Sequence, residues 1–300
     1  MLWIPATLAA AAVQTARNAM QSQLTAALGT LGATQVRFVY GWPFAALFLA
    51  AAAAIAGSAV PAPTAAFLAY TAGGAVAQIG GTALLLKAMH TRSFSVATAF
   101  NKTEAVQVAI FGIVILGEHL TPLRAAAVAI ATAGVVLAAV RPGARLDNAN
   151  LKPALFGVAS GGLFAVASVG FRGGILELGD GAYYLRAATT LTWSLGIQTV
   201  LLGAWLAVFA RPALVGSLRL WRQSLLAGLL GACASQLWFL GFSLTAAANV
   251  RTLGLVEVLF AQGVARRVFG QRATLREQSG MVLVVAGVAL LLATAAVAAP

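Results

Sequence analysis

Charge is what this chain has least of. Of its 300 residues only 9% are charged and only seven are Asp or Glu, while 61% are hydrophobic and the mean hydropathy is +0.91. Soluble domains carry about 25% charged and about 45–50% apolar residues, so a water-soluble globular protein is excluded. A single cysteine, Cys233, excludes an intrachain disulfide framework and a Cys-based metal site. The two histidines, His90 and His119, join no Cys, Asp or Glu at metal-ligand spacing. No Gly-Lys-Ser/Thr loop is present to cradle a nucleotide, and no nucleophile comes with a base partner. The expectation is therefore a protein without cofactor, metal or enzymatic chemistry. Met1-Leu2-Trp3-Ile4-Pro5 has no basic stretch ahead of its apolar run, so the first helix is expected to stay in the membrane.

The charge that is present is mostly positive, for a formal net of +12. In a soluble chain that excess would suggest nucleic acid. Here the Arg and Lys residues lie singly or in pairs between apolar stretches and read as membrane-flanking charges, so the partner is a lipid bilayer and not nucleic acid. Taking about 20 apolar residues per crossing, we place spans near 3–20, 34–56, 64–87, 94–116, 121–140, 153–176, 182–209, 221–245, 250–269 and 275–297. The expected fold is an all-α polytopic membrane protein of ten transmembrane helices. The stretch 143–152 is its linker, dividing the chain into 1–142 and 153–300. Of the 19 Lys and Arg, 14 fall in the odd-numbered links, Arg17 and Arg37 among them. By the positive-inside rule both termini would then be outside.

The two halves are related. Glu104, Gly117, Thr121, Gly134 and Leu137 recur 153 residues later as Glu257, Gly270, Thr274, Gly287 and Leu290. Self-similarity at a fixed offset marks a duplication. Five spans per half is an odd number, so the second half must enter the bilayer from the opposite side, as two inverted five-helix repeats.

The run Gly117-Glu118-His119-Leu120-Thr121, followed by Gly134-Val135, resembles the Gly-Glu-x-Leu-Thr signature of EamA-type transporters of the drug/metabolite transporter superfamily. Arg37-Phe38 is similar to that family too, and the ten-helix plan covers essentially the whole chain. The resemblance implies a 5+5 fold in a bacterial inner membrane and a central cavity lined by spans 1, 3, 4, 6, 8 and 9. It further implies movement, often export, of small metabolites such as amino acids. It also implies both termini in the cytoplasm, opposite to the charge count. The sequence departs from the pattern twice: the second copy reads Gly270-Gln271-Arg272-Ala273-Thr274 without the acid, and span 4 lacks the proline common in the family.

An ionised side chain near mid-membrane costs at least about 2.5–3.5 kcal/mol, so such groups face a cavity or a partner. Glu104 and Glu257 are the deepest acids and occupy equivalent repeat positions. They either bind a substrate's cationic part or a coupling proton, or form structural ion pairs. At helical spacing Asn101 and Glu104 share a face with Val108, Lys102 points away and needs a partner elsewhere or water, and Arg251, Gly254 and Glu257 form the matching stripe with Ala261. Gln14 and Asn18 on span 1, Gln78 on span 3, and Gln236 with Trp238 on span 8 are amide and indole candidates that serve helix packing as readily as ligand binding. The tyrosines Tyr183 and Tyr184 fit an interfacial belt.

These features lead to a secondary transporter exporting a small polar organic metabolite by alternating access between the repeats. Proton coupling and a homodimer stay open. The rival readings are an intramembrane lipid-handling protein or enzyme, and a non-transporting scaffold in which every acid is paired.

Overall fold

A bilayer core offers no water to exposed N–H and C=O groups, so an apolar, alanine-rich chain closes its hydrogen bonds inside helices. The computed structural model describes residues 1–89, 100–139, 148–269 and 273–297, and among these there are eleven helices and no strand. They are α1 (Trp3–Ala56), α2 (Ala65–Met89), α3 (Glu104–Leu116), α4 (Pro122–Ala139), α5 (Asn148–Glu177), α6 (Tyr183–Phe209), α7 (Arg211–Arg219), α8 (Trp221–Leu244), α9 (Ala247–Gly254), α10 (Glu257–Phe269) and α11 (Leu275–Val297). Among the described residues six stretches are long and apolar enough to cross a membrane: Leu31–Ala56 of α1, all of α4, Leu151–Glu177 of α5, all of α6, all of α8, and Leu275–Ala295 of α11. The chain is an all-helical integral membrane protein.

The helices differ from the sequence expectation in four places. No loop separates the first two expected spans: α1 runs 54 residues and breaks only at Gly29, where φ 65 and ψ 173 leave the helical region. A straight helix of that length would reach about 81 Å, far beyond a hydrocarbon core of about 30 Å, so the break is what lets the segment fold. The expected link at 211–219 is itself a short helix, α7, with a proline in its first turn. The expected continuous helices at 94–116 and 250–269 are interrupted, by a turn at Lys102-Thr103 and another at Leu255-Val256. His90, the linker as far as residue 147, and Gly270-Gln271-Arg272 lie outside the described residues.

Those two turns are the same turn. The N–H groups of Thr103, Val106 and Gln107 donate to the carbonyls of Phe100, Thr103 and Thr103 at 3.1, 3.1 and 3.2 Å. Shifted by 153 residues, Val256, Leu259 and Phe260 donate to Leu253, Val256 and Val256 at 3.2, 2.9 and 3.3 Å. The 153-residue correspondence therefore extends from residue identities to backbone hydrogen bonds, although the turn residues Lys102-Thr103 and Leu255-Val256 have nothing in common.

The threonine of the repeated motif begins a helix in each half. Thr121 Oγ1 accepts the Arg124 N–H at 3.3 Å ahead of Pro122, the first residue of α4. Thr274 Oγ1 accepts the Glu277 N–H at 3.3 Å while the Glu277 carboxylate accepts the Thr274 N–H at 2.6 Å, a capping box that opens α11. Gly117 closes α3 at φ 63, its N–H bonded to the Ile113 carbonyl and that of Glu118 to Gly112, so the motif's glycine is a helix stop. His119 lies exposed in the following loop.

The chain packs as two compact units, one of residues 1–79 with 170–245 and the other of 80–169 with 246–300. Each draws on both halves of the sequence, so compact packing divides the chain elsewhere than at the linker. In the first unit α8 packs along α1, and α6 packs against both. Tyr40 Oη ties α1 to the end of α7 by donating to the Ser217 and Leu218 carbonyls, both at 3.2 Å.

In the second unit the main pairing is α4 with α11. It is made of glycine against backbone. A Cβ on Gly134 would lie 2.6 Å from the Gly280 oxygen and 2.7 Å from the Val284 nitrogen, and one on Gly287 would lie 2.6 Å from the Ala131 nitrogen and 2.8 Å from the Ala127 oxygen. Adding 153 to 127, 131 and 134 gives 280, 284 and 287, so the contact is reciprocal between equivalent residues.

Candidate functional site

The second unit holds two pairs of opposite charges. Because each turn ends one helix and starts another, Glu104 and Glu257 are not in mid-helix as the spacing suggested: each is the first residue of a new helix. There the unsatisfied N–H groups and the helix dipole favour an anion. Arg251, in the last turn of α9, sits where the dipole favours a cation.

The pairing crosses the two halves of the sequence. Arg251 Nη2 lies 2.7 Å from Glu104 Oε1, and Lys102 forms an ion pair with Glu257. Each acid thus meets a cation from the other half of the sequence. Arg251 also donates from Nε to Ser168 Oγ at 2.9 Å, and that hydroxyl lies 3.4 Å from Glu104 Oε1. Lys102 is within electrostatic reach of Glu104 and Arg251 as well, so the four groups form one neutral cluster of two positive and two negative charges. The Lys102 partner that the sequence required is Glu257. Side chains in both pairs retain between 15% and 25% exposure, so the cluster is neither sealed nor surface-screened.

Helix α5 supports the first turn. Ser160 and Ser168 lie two helical turns apart on one face of α5, and Asn101 Nδ2 donates to Ser160 Oγ at 3.0 Å, which donates on to the Gly81 carbonyl at 2.7 Å. Asn101 is therefore a structural tether on the near side of the turn, one residue before Lys102. Gln107 closes the other side, donating to Thr103 Oγ1 at 3.0 Å and to the Val158 carbonyl at 3.2 Å. Neither Ser168 nor Gln107 was singled out from sequence, and a Gly-Gly pair opposite a polar run is the signal that would have found them.

That pair is Gly161-Gly162. A Cβ on Gly161 would lie 2.7 Å from the Asn101 carbonyl oxygen and 3.4 Å from the Glu104 nitrogen, and one on Gly162 would lie 2.8 Å from Gln107 Oε1. The turn can approach α5 only because Gly161 has no side chain. Gly161→Ala should therefore displace the Asn101–Glu104 turn and destabilise the protein by about 1–3 kcal/mol, the usual range for overpacking. Thermal unfolding in detergent checks this, with Gly263→Ala as the control because nothing lies within 4 Å of a Cβ there.

The amide candidates fall in the first unit. Trp238 Nε1 donates to Gln14 Oε1 at 3.0 Å, joining α8 to α1, and Gln198 Nε2 donates to Gln78 Oε1 at 2.5 Å, joining α6 to α2. Gln236 on α8 keeps a buried Oε1 with no hydrogen-bond partner among the described residues. The Asn18 side chain lies outside those described. Tyr183 and Tyr184 stack edge to face with centroids 5.3 Å apart at the start of α6, where an interfacial belt belongs. A cavity of about 490 Å³ in this unit is lined by Trp42, Thr192, Trp193 and mostly aliphatic residues of α6, a lining unlike that of a site for a polar solute. Among the described residues no three His, Cys, Asp or Glu could hold a metal ion.

No family model matches the chain, and no curated protein matches it. A crystal structure of another protein is similar to it with a TM-score of 0.72, covering 96% of this chain and 96% of that one at 14% sequence identity. The likeness is one of fold over nearly the full length, and at that identity it assigns no residue a role.

Proposed function

We propose that this protein is a secondary transporter that exports a small polar organic metabolite, such as an amino acid, across a bacterial inner membrane by alternating access. The observation that carries the reading is the pair of interrupted helices. Each breaks at the same backbone turn, each restarts on a carboxylate, and each carboxylate is met by a cation of the other half. Irregular backbone is tolerated at membrane depth only where protein or a water-filled cavity surrounds it, and discontinuous helices with charged, polar ends are where transporters bind solutes and ions. The resemblance to EamA-type drug/metabolite transporters agrees with this reading.

The same proposal counts ten membrane spans in two inverted five-helix repeats, 1–142 and 153–300. The two arms of α1 on either side of Gly29 count as two spans, and α9 with α10 as one interrupted span. At nine residues, about 13.5 Å, α7 is too short to cross. The reciprocal α4–α11 contact is what a two-fold relation between the repeats would produce.

One observation favours a non-transporting scaffold instead: Glu104 and Glu257 are both ion-paired. Uptake and counterflow in proteoliposomes separate the two readings. With a panel of labelled amino acids, nucleobases and sugars, at least one solute should exchange saturably, and an imposed proton gradient should drive it if an acid of the cluster carries a coupling proton. Exchange that ignores the gradient at every pH from about 5 to 8 would rule out proton coupling. No exchange of any solute by folded protein would leave the scaffold.

A further inference from the structure

Exposed basic residues gather at one place in the first unit. This unit of residues 1–79 and 170–245 contains seven arginines and only two acids, Glu177 and Asp180, both of which precede α6. Three of the arginines, Arg211, Arg219 and Arg222, fall within the twelve residues 211–222, on α7 and at the start of α8. All three are exposed, whereas Arg17, read from sequence as a flanking charge, is only 7% exposed. With 27 residues α6 is about 40 Å long, more than a hydrocarbon core of about 30 Å. The acids at its start therefore lie at the opposite membrane face from the arginines beyond its end, and no acid of this unit is placed to neutralise them.

Helix α7 has two unlike faces. One packs on α1: a Cβ on Gly32 would lie 3.4 Å from the Ala213 carbonyl oxygen, one on Gly216 would lie 3.0 Å from Leu28 Cδ2, and Ser217 is buried. The other face carries Val215 and Leu218, both exposed, with Arg211 at the start of the helix and Arg219 at its end. Trp221 follows, also exposed, and the Arg222 guanidinium lies 5.3 Å from the centre of its ring. A short helix joining two membrane-crossing helices, with apolar side chains outward and arginines at its ends, sets those side chains against acyl chains while the guanidiniums reach the headgroups. The 153-residue correspondence does not account for it. Subtracting 153 maps α7 onto residues 58–66, which carry no charge and are not helical as far as residue 64.

We propose that α7 and the start of α8 form a docking surface for an anionic phospholipid, whose phosphate headgroup is held by Arg211, Arg219 and Arg222 beside Trp221. Charge and place together select this occupant. Three exposed cations far from the acids of their unit attract anions, and the planar donor fork of arginine matches phosphate oxygens. The exposed Val215, Leu218 and Trp221 among them meet acyl chains, which a soluble phosphate would not bring. The proposal does not rest on the transport reading, since none of these residues belongs to the Glu104–Glu257 cluster.

The test uses the full-length purified protein in nanodiscs of phosphatidylcholine and phosphatidylglycerol, with brominated acyl chains on one lipid or the other. The readout is quenching of Trp221, taken as the part of the tryptophan fluorescence that Trp221→Phe removes. Brominated phosphatidylglycerol should quench at a lower mole fraction than brominated phosphatidylcholine, and the preference should shrink as salt is raised. Arg211→Gln, Arg219→Gln and Arg222→Gln should each lower it by up to about fivefold, the usual contribution of one cation near an anionic surface. The triple Gln variant should treat the two lipids alike, and the triple Lys variant, which keeps the charge but loses the fork, should fall between. These side chains are exposed, so an unchanged size-exclusion profile is expected throughout, and the single variants give the answer if a triple variant does not fold. Arg186→Gln is the control, because Arg186 donates from Nη1 to the Gly179 carbonyl at the other end of α6. It should leave the preference intact. No preference for phosphatidylglycerol in the native protein, a preference that survives all the Gln variants, or an equal loss in Arg186→Gln would overturn the proposal.

Discussion

Glu104→Gln should slow solute exchange by about 10–150-fold, the rate equivalent of losing a charged hydrogen bond worth about 1.5–3 kcal/mol. The reason lies in the geometry: Glu104 Oε1 is 2.7 Å from Arg251 Nη2 at the start of an interrupted helix. The amide keeps the shape and one hydrogen bond but gives up the charge that both Arg251 and the helix N-terminus favour. Arg251→Gln should be worse for folding, because it leaves the Glu104 carboxylate without its ion-pair partner, with the Ser168 hydroxyl at 3.4 Å and the Lys102 charge farther off. Removing one member of a buried pair costs about 3–5 kcal/mol, and the residual exposure here puts the expected loss toward the lower end of that range. The double variant should regain part of that stability without regaining exchange. Exchange rates in proteoliposomes, normalised to folded protein by size-exclusion profile, separate the two effects. If exchange and folded protein fall in equal proportion in Glu104→Gln, the carboxylate is structural and the scaffold reading gains.

Gly134→Ala and Gly287→Ala should each destabilise the second unit by as much as or more than the about 1–3 kcal/mol typical of overpacking, and by similar amounts. In both, the new methyl group meets backbone at 2.6 Å, which cannot rotate away as a side-chain end could. The helices α4 and α11 must separate instead. Equality of the two losses is the informative part, because the contact is reciprocal between residues 153 apart. Gly73→Ala on α2 has nothing within 4 Å and should be neutral or slightly stabilising, since alanine is the better helix former. Thermal midpoints of the three variants in one detergent give the comparison. A tolerant Gly134→Ala would mean that the close approach of α4 and α11 is not what holds this unit.

Much of the fold was legible because a bilayer constrains a chain so severely. Long apolar runs had to be helices, and the repeated Glu, Gly and Thr positions marked equivalent points in two halves. The motif Thr121 and Thr274 prove to be helix starts and Gly117 a helix stop, which is capping chemistry that local sequence carries by itself. The break in α1 was not legible. Gly29 is one of 31 glycines, and nothing local distinguishes it from those that merely allow close packing. The turns before Glu104 and Glu257 were hidden for a related reason. No proline marks either turn, Gly254 in the second answers to Asn101 in the first, and Lys102-Thr103 shares no residue type with Leu255-Val256, so helical periodicity ran straight through both.

What the sequence by itself determined is the kind of protein: an all-helical membrane chain in which an acid, a glycine and a threonine recur at a fixed offset. Hydropathy and a fixed offset are one-dimensional properties and need no fold to be read. Tertiary structure alone decided which charges meet. Lys102 and Glu257 are 155 residues apart, and Glu104 and Arg251 are 147 apart, and no spacing rule predicts either pair. It also decided that Arg17 is buried, although its neighbours resemble the end of a span. In a medium without water each charge must find its complement through space, and which complement is within reach depends on how the helices pack.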